Sequence, residues 1–452
     1  MNQFNIILAL PFIIIFLSFF IYLLSVKYPE ISFALFLTAG VYKADPRLSF
    51  LPGFIDLTVL FGVFAIIGVL YNIFIRRKIR LIVPSIPILL PYLGIVSISL
   101  LSLLYTRAPI YGSDKLLRFL TITSTAFLLP FYLFQDKKAV DRFFIIFIIL
   151  GLAMFLDIIS GGLKPENLGF KTAFGSNYLA VGRVCGIALT ILFLYFLPQT
   201  KIFGYRVLYI SISGILVFAT FISGGRGPLI STFLTIFIIL IYQFIISFSK
   251  IISKLSIRRI SFSVLKLGVV LLIISLLIFT IFYKYFQTII IRMTLLREGL
   301  GASTLERLNR YAKSLEVITA FPTFITGLGI GGFSVYYDGV DIRSYPHNIF
   351  LEIGSELGFL GLLFFVLIVY FTVKRAISTI RRVKTGSDYF LILTILALFI
   401  NMLINSSVSG DINDNRLLFT WIGMIYSISI FIRTEGFNAK KSLPHNNSSS
   451  TF

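Results

Sequence analysis

Continuous apolar runs recur from one end of this chain to the other, and nothing else constrains its fold as strongly. A helical run of about 20 residues crosses roughly 30 Å of hydrocarbon. Lipid offers no partners to backbone N–H and C=O groups, so such a chain crosses as helices or as a closed barrel. A barrel would show alternating segments of about ten residues; the runs here are unbroken. The chain therefore reads as an all-α polytopic membrane protein of about 12 transmembrane helices. Spans are expected near 5–26, 56–75, 82–104, 116–134, 143–160, 177–198, 207–223, 228–248, 264–284, 349–373, 389–409 and 417–432. A shorter apolar piece, 31–40, is too brief to cross alone and reads as re-entrant or interfacial.

Residues 1–436 form a single transmembrane domain, with a long outward-facing (periplasmic) loop at 285–347 that contains short helices. Residues 437–452 read as a disordered polar tail. The first run is expected to be a span, because the MNQ before it carries no positive charge and no small-residue cleavage site follows. One cysteine, Cys185, excludes a disulfide framework and a thiolate metal cluster. The net charge of +21 does not point to nucleic acid, because the basic residues cluster between spans. The clusters at 76–80, 137–142 and 374–384 mark the cytoplasmic side. The long loop, Arg226 and His347 then face outward.

Residues 321–361 form a polar, glycine-rich island that runs into an apolar helix. GLGIGG at 327–332 fits G-x-G-x-x-G formally but lacks the preceding strand of a dinucleotide site. It reads as a plain turn, or as a turn whose amides approach a phosphate. Ser303 to Glu306 makes a capping box for a helix ending before Pro322, with Leu308, Ala312, Leu315 and Ile318 or Thr319 on its buried face. Glu306 and Arg310 can pair at i, i+4, which leaves Arg307 free for an anion. Arg226, in SGGRGP, is open to approach between glycines. Arg183 lies inside a span, where an arginine either serves a ligand or pairs with a carboxylate such as Asp157. His347 follows Pro346 at a helix start, where the dipole keeps imidazole neutral and able to accept a proton. Asn348, Glu352 and Glu356 line one face of that helix, and the arginines are the expected partners of the two carboxylates. Gly354, Gly358 and Gly361 suit close helix packing. Asp338 and Asp341 read as solvated turn residues, and no metal site is expected.

The runs RLNRY at 307–311, P-x-x-x-x-G-x-G at 322–329 and PHNIFLEIGSELGFLG at 346–361 resemble the O-antigen ligase and polymerase superfamily of bacterial membrane glycosyltransferases. SGGRG at 223–227 and FGSNYLA at 174–180 are similar to further motifs of that family; Tyr311 stands where a tryptophan is common. The resemblance implies a GT-C-like, metal-independent, inverting glycosyltransferase in the bacterial inner membrane, with no cofactor and an active site on the periplasmic face. The donor would be an undecaprenyl-diphosphate-linked glycan. The acceptor would be lipid A–core in a ligase, or a lipid-linked repeat unit in a polymerase. Arg183, Arg226, Arg307 and Arg310 would hold the diphosphate, and His347 would be the base. Asn348, Glu352 and Glu356 would orient or replace it. A transporter or flippase would instead show repeated halves and broken helices.

Overall fold

The computed structural model describes residues 19–49, 52–53, 55–161, 171–252, 302–383 and 386–441, and all regular structure among them is helical. Nine of these helices are long and apolar enough to cross a membrane, or ten if one bent pair forms a single span. The bent pair is α1 (Phe19–Lys27) and α2 (Pro29–Tyr42), which meet at 96°. Next come α3 (Leu57–Phe74), α4 (Ile86–Ser102), α5 (Pro109–Leu133), α6 (Lys137–Ser160), α7 (Tyr178–Gln199), α8 (Phe203–Ile222) and α9 (Arg226–Ile252). The loop region supplies α10 (Ala302–Thr319) and the short α11 (Phe333–Asp338). The chain returns through α12 (Ile349–Val383), α13 (Ser387–Ser406) and α14 (Arg416–Lys441). The expected span at 264–284, most of the one at 5–26 and the end of the tail lie outside the described residues.

The short apolar piece near 31–40 is α2, a whole helix. Phe33, Ala34, Phe36, Leu37 and Ala39 are all buried. It packs on α3 and α6 as the inner arm of the bend, and Ser32 Oγ ties it to the Leu24 carbonyl at 2.7 Å. Phe33 stacks on Phe143, which meets Phe134, Phe147 and Trp421 edge-on or tilted, so α2, α5, α6 and α14 share one aromatic core. Each such pair contributes about 0.5–1.5 kcal/mol beyond its contact area.

Lipid is as apolar as a leucine face, so small and polar residues do much of the joining between spans. Asn401 and Asn405 on α13 reach Thr232 and Ser231 on α9, at 3.1 and 2.6 Å. The missing side chain of Gly182 lets α7 close on Pro228 of α9.

The feature that shapes the site is a break in α12. Gly358 takes φ 67° and ψ −166° inside an otherwise helical run. The first arm, from Ile349 to the break, is a short, deeply buried helix; the second is the spanning part. Gly358 was expected only to ease packing. Its left-handed backbone, open to glycine and costly to other residues, instead lets the chain turn.

Candidate active site

Two charged layers meet at the first arm of α12. The lower layer is closed. Lys115 on α5 lies 2.6 Å from Glu352 Oε1 and 2.7 Å from Glu356 Oε2, with all three side chains at 3% exposure or less. The i, i+4 spacing that put both carboxylates on one face is what lets one ammonium bridge them. The Gly331 amide donates to Glu356 Oε2 at 2.9 Å, and the Ile412 amide donates to Glu352 Oε1 at 3.2 Å. The Tyr111 ring lies 5.5 Å from Nζ. Asn413 clamps the same turn of α5, taking a hydrogen bond from Thr123 and giving one to the Lys115 carbonyl. The expected arginine partners of Glu352 and Glu356 are therefore replaced by Lys115. That lysine lies one residue before the span expected from 116. An ammonium inside an apolar segment is expensive, and that was the available signal.

The glycine-rich turn serves this layer too. The break at Gly358 frees two carbonyls. The Leu328 amide donates to the Ser355 carbonyl and the Gly329 amide to the Glu356 carbonyl, both at 2.9 Å. The Ile330 amide donates to Ser102 Oγ at 3.0 Å. A Cβ on Gly327 would overlap the Glu356 carbonyl, and one on Gly358 would overlap the Ile325 carbonyl. With these amides bonded inside the protein, GLGIGG caps a broken helix and is not a phosphate cradle.

The upper layer is open. Arg307 on α10 donates to the Val408 carbonyl at 3.1 Å. Gly227, beside Arg226 at the start of α9, faces the same Val408: a Cβ there would lie 3.3 Å from Val408 Cγ2. Arg226 is exposed and has no hydrogen bond or ion pair among the described residues. Arg183, one turn into α7, has a buried Nε without a hydrogen-bond partner; the groups whose charge acts on it are Asp414, Tyr345 and Arg307. Asp157 does not pair with it. That carboxylate binds Arg47 at 2.8 Å and accepts the Phe174 amide. Asn177, in the FGSNYLA segment, caps α7 through the Ala180 amide at 2.8 Å. Arg183, Arg226 and Arg307 thus come from three helices to one loop, 407–415.

His347 stands beside them, outside the helix it was expected to start. Asn348 is the cap, its Oδ1 accepting from the Phe350 and Leu351 amides at 3.0 and 3.2 Å. His347, one residue earlier, adopts φ 62°, and its ring meets Tyr345 at 4.6 Å. Its Nδ1 is buried without a hydrogen-bond partner. Burial first, then Arg307 and Arg310, lower its pKa to about 4. The imidazole is neutral at physiological pH, as expected, but for reasons more forceful than a helix dipole.

Arg310 is engaged on every side. It binds Glu306 at 3.0 Å, Ser344, the Tyr345 carbonyl and Asp338, and lies over the Tyr337 ring. Ser303 falls inside α10, so Glu306 does not close a capping box; it binds Arg310 and the Tyr337 hydroxyl. The buried face of α10 is also not the expected one. Ser314 and Val317 are buried, while Leu308 and Leu315 are exposed. Asp341 is not merely solvated: both its oxygens accept amides of Ile110 and Tyr111 at the start of α5. Asp411 and Asp414 both take Arg343, at 3.1 and 2.8 Å. Burial, with Asp411 beside it, raises the Asp414 pKa against the pull of Arg343. These two acids, in the short connection SGDINDN, complete the upper layer, and no local motif in the sequence marks them.

Residues 211–366 match the O-antigen ligase family. That stretch of the chain is similar to the O-antigen ligase family. The match contains Arg226, Arg307, Arg310, His347, Asn348, Glu352 and Glu356, and leaves Arg183 and Lys115 outside it. No curated protein gives a significant match. That match and the apolar helices support a multi-pass bacterial membrane protein of the O-antigen ligase or polymerase glycosyltransferase type.

Proposed function

We propose that this chain is an O-antigen ligase of the inner membrane. It transfers a glycan from an undecaprenyl-diphosphate-linked donor to lipid A–core at the periplasmic face, without metal and with inversion. The observation that carries the proposal is a neutral, half-buried His347 next to arginines that are not fully satisfied. The sugar diphosphate is already activated. Its departure builds negative charge on phosphate oxygens, which guanidinium groups bind in bidentate fashion. Arg226 and Arg307, aided by Arg183, take that charge. His347 accepts the acceptor hydroxyl's proton as oxygen attacks the anomeric carbon on the face opposite the leaving diphosphate. Arg310 holds the loop that carries His347, and Asn348 fixes the start of the helix behind it. Glu352 and Glu356, bridged by Lys115, brace that helix. A polymerase would use the same chemistry with a lipid-linked repeat as acceptor.

The break in α12 is a feature that the transporter reading also expects. Here both freed carbonyls are bonded by Leu328 and Gly329, so the break does not present open backbone to a solute.

The test is His347→Asn. Asparagine tolerates left-handed φ, so the fold should survive. A positioned base contributes about 10²- to 10⁴-fold, and transfer by purified protein with added lipid-linked donor should fall by that factor while the melting curve stays in place. Near-normal turnover would remove His347 from the chemistry. Single-repeat products from a deletion strain would assign the polymerase acceptor instead.

A further inference from the structure

Among the described residues, the exposed apolar side of α10 has no covering partner. At 100° per residue the helix divides into three faces. Arg307, Tyr311, Ser314 and Val317 point into the protein. Glu306, Asn309, Lys313 and Glu316 make an exposed polar face. Leu305, Leu308 and Leu315, about half exposed each, make a third that is neither buried nor polar. Water accounts for the polar face. It does not account for a leucine stripe that continues into Phe321, 82% exposed, and into Phe324 and Ile325.

The stripe runs on into the outer surface of a candidate spanning helix. Phe324 packs on Phe359 with ring centroids 5.4 Å apart. Phe359 begins the spanning arm of α12, whose outward face continues through the exposed Leu363, Val366 and Tyr370. That face belongs to a helix long and apolar enough to cross a membrane, where lipid would cover it. Tyr105, just beyond the end of α4, donates to the Thr326 carbonyl, so this turn sits level with the end of a helix in the bundle. A helix with protein, water and an apolar medium on three sides matches an interfacial helix lying in the plane of the bilayer.

We propose that α10 lies on the membrane surface, its leucine stripe and the following Phe321 and Phe324 immersed in the leaflet at the break end of α12. On the function proposed above, this holds Arg307, on the adjoining face, at headgroup depth. A lipid-linked donor carries its diphosphate at that depth.

The placement can be measured without donor or turnover. A bimane label is put at Leu308→Cys, Leu315→Cys or Lys313→Cys in a Cys185→Ala background. The protein is reconstituted in phosphatidylethanolamine–phosphatidylglycerol vesicles. Labels at 308 and 315 should be quenched by a shallow lipid-borne nitroxide and shielded several-fold from iodide, and the label at 313 should show the reverse. Iodide access at 308 equal to that at 313 would overturn the proposal. So would protection of 308 from both quenchers, which would mean that protein covers the stripe, either residues 253–301 or a second copy. Failure of the glycosyltransferase reading would leave the quenching pattern unchanged and remove only the role of Arg307.

Discussion

The two charged layers of this protein obey opposite rules. Around Lys115, one ammonium faces two carboxylates, and two backbone amides share the work of satisfying them. Around Arg307 and His347, Arg183 and Arg226 keep donors without a partner among the described residues, and the nearby Asp411 and Asp414 both take Arg343. Neutralising a charge inside the membrane makes it structural; leaving one with unused donors at the boundary prepares it for an anion. The comparison separates two sets of residues that share one stretch of sequence, since Glu352 and Glu356 lie within ten residues of His347.

That separation can be broken from below. Lys115→Met leaves two carboxylates buried without a cation, a loss of about 3–5 kcal/mol for a buried pair. It should abolish the folded protein in detergent or lower its melting point sharply. Adding Glu352→Gln and Glu356→Gln to the same chain should restore most of the stability. If Lys115→Met alone melts like the wild type, the lower layer is not structural.

Gly358→Ala attacks the backbone that joins the layers. It asks alanine for a left-handed φ and places Cβ on the Ile325 carbonyl. Strain of this kind costs about 1–3 kcal/mol before the overlap is counted. A clear drop in melting temperature is expected; an unchanged melt would mean that the break heals without cost.

From above, Arg307→Lys keeps the charge and loses the planar fork. Transfer should fall about 10²- to 10³-fold, the effect of removing one donor to developing negative charge, with stability near normal. Arg310→Lys should cost only a few-fold, because its partners are all within the protein. Equal losses in the two variants would erase the distinction between a ligand-binding and a loop-holding arginine.

The smallest effect is on pH. His347 in the native protein binds its proton near pH 4, against 6.5 for an ordinary histidine. Between those values the unfolded chain holds a proton that the native state lacks, so stability falls as pH drops below about 6.5. The imidazole nevertheless remains a base until pH nears 4. Transfer should therefore hold its neutral-pH rate to about pH 5 and fall below that. Arg310→Gln removes a cation beside the ring and should move the acid limb upward. An acid limb near pH 6.5 in the wild type would contradict the buried, cation-flanked setting.

The sequence by itself determined the class of fold, because an apolar run of spanning length leaves the backbone few choices in lipid. It also singled out the residues proposed for the chemistry, because they are rare or costly in such a chain: Arg183, Arg226, Arg307 and His347. What it could not determine was who faces whom. Lys115 is over two hundred residues from Glu352 along the chain and 2.6 Å from it in space, and no local spacing encodes that contact. The leucines of α10 were assigned to the core because periodicity reports an apolar face without saying whether protein or lipid covers it. The amides of GLGIGG were left open to a phosphate because only the packed structure shows the two carbonyls, freed by a break at Gly358, that they bind instead.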